Sequence, residues 1–160
     1  EVRAGPPEQR EPFEVASFIA DAASAARLLA QHAEVGLDVP AVDAALHISG
    51  NRELLLAALI NLLQNAFKFT RSHTVVTLSV YSFGECVLIE VKDQCGGLPP
   101  GSAERMFTPF RQRIDDRSGL GLGLSIARES IEADSGTLSV RDLPGTGCVF
   151  TISLPRRTVQ

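Results

Sequence analysis

The chain has 160 residues, 44% of them hydrophobic and 21% charged, a size and composition suited to one domain with a buried core. A formal net charge of −4 gives no basic field for nucleic acid, and no run of about 18 apolar residues is present to span a bilayer. Cys86, Cys95 and Cys148 are an odd number at wide spacing, unlike a disulfide framework or a zinc motif, and no secretory signal opens the chain; a reducing cytoplasm is the expected setting.

Residues 1–12, EVRAGPPEQREP, combine charge, glycine and proline, and read as a linker from a preceding domain, with residues 13–157 as one domain. A short strand is expected around Phe13 to Val15. A helix follows, capped by Ser17, periodic through Phe18, Ala22, Ala25, Ala26, Leu29 and Ala33, and stopped by Gly36. LDVP and AALHIS read as two short strands before a long helix that starts at a good cap, Asn51. That helix, NRELLLAALINLLQNAFKFT, is apolar almost all round except for Asn61, Asn65 and Lys68, which at i, i+4 and i+7 share one face. A polar stripe facing the interior needs something to bond to it, whereas on a half-buried helix it is merely solvated. The helix alone leaves both readings open.

TVVTLSVYSF and CVLIEVKD are β-branched runs separated by Gly84 and Glu85, a hairpin pattern in which Cys86 is expected to be a core residue. From Asp93 the composition turns to glycine, proline and charge, with one short helical turn expected at Ala103 to Phe107; a loop this long inside a domain reads as a functional lid. LGLSIARESIEADSG is a further helix with Leu124, Ile126, Ala127 and Ile131 inward and Gly136 as its stop. TLSVRDL and GCVFTISLP close the chain as a second hairpin turned at Pro144 to Gly147, with Cys148 in the core. This order predicts an α/β two-layer sandwich: a mixed, largely antiparallel sheet of about five strands with three helices on one face.

Three segments carry chemistry. Asp93 ends a strand before glycines in DQCGGL, where a carboxylate can accept a hydrogen bond from an amino group on a planar ligand. In SGLGLGLSIA, Gly119, Gly121 and Gly123 alternate with Leu120, Leu122 and Leu124 just before a helix; free backbone N–H groups and the helix N-terminus make an anion site suited to phosphate. Neither the P-loop nor the dinucleotide fingerprint fits this loop. ERMFTPFRQR supplies Phe107 and Phe110 as apolar anchors, with Arg105, Arg111 and Arg113 able to neutralise phosphate charge.

In order and spacing, NLLQNAFKFT, DQCGGL, MFTPF and GLGLGLSIA resemble the N, G1, F and G2 boxes of the bacterial sensor histidine kinases, over residues 13–155. The resemblance implies the Bergerat ATP-binding fold shared with DNA gyrase and the large heat-shock chaperone, with ATP and Mg2+ as cofactors. Asn65 would be the Mg2+ ligand and Lys68 a phosphate contact, with Asn61 beside them in the catalytic set. Phe69 would lie against adenine and Asp93 would accept from its amino group. Gly97 would let the base in, with Leu98 next to it, and Phe110 would border the lid. Gly119, Leu120, Gly121, Leu122, Gly123 and Leu124 would wrap around the phosphates. Either Arg111 or Arg113 would reach them. The chain departs from the pattern at Cys95, which replaces the usual first glycine of the Asp93 loop, and at Cys148, where many relatives have threonine near the base.

The implied activity is transfer of the γ-phosphate of ATP to a histidine on a separate helical dimerisation domain, and onward to a response-regulator receiver domain. The parent would be a homodimer, with anchoring in the inner membrane left open. None of His32, His47 or His73 has the acidic neighbour that an acceptor histidine has in the family. A gyrase-like ATPase needs a glutamate one turn before Asn65; Asn61 stands there, and an amide cannot accept a proton from water. A nucleotide-sensing module without phosphotransfer and an anti-sigma-type serine kinase share the fold and stay as alternatives.

Overall fold

The computed structural model describes residues 11–96 and 120–157. Its strands are β1 (Glu11–Glu14), β2 (Gly36–Asp38), β3 (His47–Gly50), β4 (Val75–Phe83), β5 (Cys86–Lys92), β6 (Thr137–Leu143) and β7 (Gly147–Pro155). The helices among the described residues are α1 (Val15–Ala33), α2 (Arg52–Phe69) and α3 (Leu120–Ala133). Strands β2-β4-β5-β7-β6 form one sheet in which only the β2–β4 pairing is parallel, and β1 pairs with β3 in a separate ribbon.

The expected two-layer sandwich is what the chain forms. Val76 and Leu78 of β4, Val87, Ile89 and Val91 of β5, and Phe150, Ile152 and Leu154 of β7 alternate along their strands and are buried on one face. Against them lie Phe18, Ile19 and Ala22 of α1, Leu55, Leu59, Leu62 and Leu63 of α2, and Leu124, Ala127 and Ile131 of α3. The opposite face carries Thr77, Ser79, Glu90, Thr151 and Ser153 and is not fully covered. One apolar face is why the helices share one side.

Several local expectations hold. Asn51 caps α2, its Oδ1 accepting from the Leu54 N–H at 3.2 Å. Phe83 pairs with Cys86, so Gly84 (φ 59°) and Glu85 are a two-residue turn. Leu143 pairs with Gly147 around the second turn.

Others are corrected. Strand β1 begins at Glu11, inside the segment read as linker, and α1 begins directly after it at Val15, not at Ser17. No side chain caps α1; the buried Val15 instead donates its N–H to the Leu46 carbonyl at 3.0 Å, a tertiary bond doing the work of a cap. The helix stops at Glu34, which takes the left-handed conformation (φ 58°), and Gly36 already belongs to β2. Ser135 (φ 66°) does the same after α3, ahead of Gly136. Ile126 is 51% exposed rather than inward: two residues from Leu124 is a rotation of about 200° around a helix. Cys86 is only half-buried, at the strand end beside the turn.

Candidate functional site

The polar stripe of α2 is graded. Lys68 is exposed, Asn61 is half-buried, and Asn65 is buried at 9% exposure. The solvated reading therefore fails for Asn65. Its Nδ2 is buried and has no hydrogen-bond partner among the described residues. A buried amide left unsatisfied costs about 1–3 kcal/mol, so no contact among the described residues favours this asparagine end over alanine. Lys68 extends its ammonium over the Phe69 ring, 5.7 Å from the centroid, which holds a positive charge at the end of the same helix.

Asp93 follows β5 and is 3% exposed. Its Oδ1 accepts from the N–H groups of Cys95 and Cys148, both at 3.1 Å, and its Oδ2 accepts from the Cys148 thiol at 3.3 Å. The backbone N–H of Asp93 donates to the Cys148 carbonyl at 3.0 Å, so β5 and β7 hold the aspartate from both sides. Burial, reinforced by the adjacent Asp93 carboxylate, pushes the Cys148 thiol far above the usual thiol range. Cys148 is thus in the core as expected, but it is also a donor to the site.

The loop after Asp93 is pinned at both ends. Thr70, at the end of α2, accepts the Gln94 N–H on its Oγ1 at 3.0 Å, and Arg71 donates its N–H to the Gln94 carbonyl at 3.2 Å. Gly96 donates to the Thr146 carbonyl at 2.8 Å. The left-handed turn this requires falls on Gly96 (φ 100°), whereas Cys95 has no positive φ, so a side chain is tolerated where the resembled pattern has its first glycine. Gly147 is needed for closeness: a Cβ there would run into the backbone carbonyl of Asp93.

Asn61, Asn65, Lys68 and Phe69 are therefore set along the second half of α2, and Asp93 lies on a loop tied to that helix's end. Leu120, Gly121, Leu122 and Gly123 are the first turn of α3 rather than a loop before it; leucine alternation supplies helix formers, and Leu124 is anchored in the core. The N–H groups concerned are then those of a helix start, which have no intrahelical partner and still suit an anion. Gly97, Leu98, Phe107, Phe110, Arg111, Arg113 and Gly119, with the expected lid and its helical turn, lie outside the described residues. Thr70 and Gly147 support the site but are not among the residues to which the sequence motifs assign a role. Thr70 offered a weak signal as a polar residue ending an apolar helix; Gly147 offered none, because its role depends on a neighbour distant in sequence.

The donor set can be tested against a hard cation. An asparagine amide on a buried helix face, one end lacking a partner among the described residues, offers either an oxygen to a metal or an N–H to a phosphate, depending on how the amide is turned. The residues fit Mg2+ accompanied by phosphate.

Residues 50–158 match the model of the Histidine kinase-, DNA gyrase B-, and HSP90-like ATPase family. The chain is 34% identical over 148 residues to the sensor-like histidine kinase SenX3 of Mycobacterium tuberculosis, covering 89% of this chain and 35% of that protein. It is 31% identical over 126 residues to the sensor protein KdpD of Escherichia coli, covering 78% and 14%. It therefore spans about a third or less of these curated relatives. In fold it is similar to full-length ShkA in complex with AMPPNP (TM-score 0.81, 24% identity, 94% of this chain and 32% of that one). It is also similar to the mycobacterial sensor histidine kinase MprB (TM-score 0.80, 24% identity, 93% and 100%). With its α/β sandwich, its buried Asn65 and Asp93, and relatives that are sensor histidine kinases, the chain belongs to the histidine kinase-, DNA gyrase B- and HSP90-like ATPase family.

Proposed function

We propose that the chain binds Mg-ATP and presents its γ-phosphate to a histidine on a separate helical domain, as the catalytic part of a cytoplasmic two-component signalling kinase. The observation that supports this most is Asn65, a buried amide with an unpartnered end on the helix whose exit is tied to the Asp93 loop. Asp93 accepts from the adenine amino group, with Phe69 against the ring. Lys68 and the α3 start hold the phosphates, which Arg111 or Arg113 would also reach, and Phe110 would border the lid. Gly97 would let the base in, with Leu98 next to it, and Gly119 would belong to the loop around the phosphates. Asn65 would hold Mg2+, with Asn61 one turn earlier in the ATP-binding set, and the ion would offset phosphate charge when bound.

The protein contributes positioning. Adenine recognition at one end and phosphate contacts at the other orient the γ-phosphate for in-line attack by an imidazole nitrogen, whose bond to phosphorus forms as the bond to the β-phosphate oxygen breaks. Asn61 offers no base for water, which favours transfer over hydrolysis. The acceptor is not His32, His47 or His73. His32 is exposed in the last turn of α1, His47 sits in β3 with its Nδ1 3.1 Å from the Ala45 carbonyl oxygen, and His73 is in a turn. A receiver domain then takes the phosphoryl group.

Incubation with γ-labelled ATP tests this. The chain alone should acquire no acid-labile label, and a partner helical domain bearing the acceptor histidine should become labelled when added. Label on the chain's own histidines, or release of phosphate to water at the rate of an ATPase, would overturn the reading.

A further inference from the structure

We propose that Asp93, Cys95 and Cys148 together bind a thiophilic divalent cation of the Zn2+ or Cd2+ class, and that such an ion excludes a nucleotide base from Asp93. The second half rests on the proposed role of Asp93 in base recognition; the first does not. The two thiols are far apart in sequence, which hides the site from any spacing pattern. In the fold, the Asp93 loop and the start of β7 bring one ligand atom from each of the three residues within 4.8 Å of one another. None of the three cysteines is in a disulfide.

The geometry suits a tetrahedral ion. Zinc–sulfur and zinc–oxygen bonds of about 2.3 and 2.1 Å place ligand atoms roughly 3.6 Å apart. Cys148 Sγ and Asp93 Oδ2 already stand 3.3 Å apart, and the half-buried Cys95 can close the remaining gap by rotating its side chain. The carboxylate is oriented in advance: two N–H groups hold Oδ1, leaving Oδ2 turned to the thiols. On binding, each thiol releases its proton to solvent, and the ion takes two thiolates and a carboxylate, with water in the fourth position. Mg2+ prefers oxygen ligands and does not compete here, so the ion that accompanies ATP and the ion that blocks it use different donors. The blocking follows because the coordinated carboxylate oxygen is no longer available to an amino group.

The test has two arms on the reduced full chain. In the first, Cd2+ alone is titrated without nucleotide and the ultraviolet thiolate-to-metal charge-transfer band is followed. One ion per chain is expected; Cys95→Ser should halve the band and weaken binding by about ten-fold or more, and Cys86→Ser should leave both unchanged. Cys95 is half-buried, so its variant folds even if a Cys148 variant does not. No band, or a band lost with Cys86→Ser and kept with Cys95→Ser, would overturn the site. In the second arm, binding of a non-hydrolysable ATP analogue with Mg2+ is measured with and without one equivalent of Zn2+. Zinc should weaken it about ten-fold or more in the parent and much less in Cys95→Ser. Analogue binding unaffected by zinc would overturn the exclusion, whereas an analogue that fails to bind even without zinc would overturn the nucleotide reading and leave the spectroscopic arm to decide the metal site.

Discussion

A single residue, Cys148, donates to both oxygens of Asp93: its N–H to Oδ1 at 3.1 Å and its thiol to Oδ2 at 3.3 Å. The thiol is a weak donor, so Oδ2 keeps most of its accepting power for an incoming amino group. Asp93→Asn should therefore lower affinity for an ATP analogue by about ten-fold or more, the worth of a charge-assisted hydrogen bond, with circular dichroism unchanged. GTP should bind at least about ten-fold more weakly than ATP, because guanine presents a carbonyl to the carboxylate. Calorimetry reads both, and equal affinity for the two nucleotides would remove Asp93 from base recognition.

Asn65→Ala should separate stability from binding. Alanine removes a buried, unpartnered Nδ2 and gains about 0.7 kcal/mol of helix propensity. The nucleotide-free protein should melt a few degrees higher, on the order of 3 °C per kcal/mol for a domain of this size, while the dependence of nucleotide affinity on magnesium disappears. A variant that melts lower and keeps its magnesium dependence would contradict this.

Thr70→Val should loosen the Asp93 loop without touching nucleotide. Valine leaves the Gln94 N–H without its acceptor, at a cost of about 1–2 kcal/mol in urea unfolding, and analogue affinity should fall several-fold. Thr70→Ser keeps the oxygen and should restore affinity.

Stability should fall in alkali through Cys148. Burial first, then Asp93, holds its thiol neutral in the fold well above the unfolded value of about 8.5. Above that pH the unfolded chain carries fewer protons than the folded one, so stability declines as pH rises; below it this group contributes its full share. The slope from one thiol is at most about 1.4 kcal/mol per pH unit. Urea melts of the parent and Cys148→Ala between about pH 7 and 10 isolate it, since other titrations, such as that of Tyr81, are common to both. Parallel pH profiles would exclude the effect.

Gly147→Ala should be among the costliest small changes on the β7 side. The added methyl meets the Asp93 carbonyl, which is backbone and cannot rotate away, so a loss of about 2–3 kcal/mol and a weaker site are expected together in thermal melts and calorimetry.

The elements with a strong local cause were legible in the chain. Asn51 before an apolar run marks a helix start wherever that run packs, and Gly84-Glu85 between β-branched runs marks a turn. Local sequence misleads where a distant group replaces a local signal. Val15 opens α1 because the Leu46 carbonyl takes its N–H, which no capping residue announces. Glu34 ends α1 in a left-handed turn because its N–H reaches the Ala30 and Gln31 carbonyls, ahead of the glycine that composition favours. For the site, Asn65 and Asp93 stand out as polar residues in apolar company, whereas the pairing of Asp93 with Cys148 depends on β7 lying beside β5 and leaves no trace in either segment alone.

That insertion of β7 between β5 and β6 also sets an order of events in folding. The β4–β5 hairpin can form from neighbouring residues, but Asp93 has no partner for either oxygen from β7 until the last strand docks. During synthesis, the Asp93 end of the candidate site thus comes into being only after β7 has left the ribosome. A nucleotide held there would engage only the finished sheet, so ATP should slow the undocking of β7 and lengthen the lifetime of the folded protein without hastening its arrival.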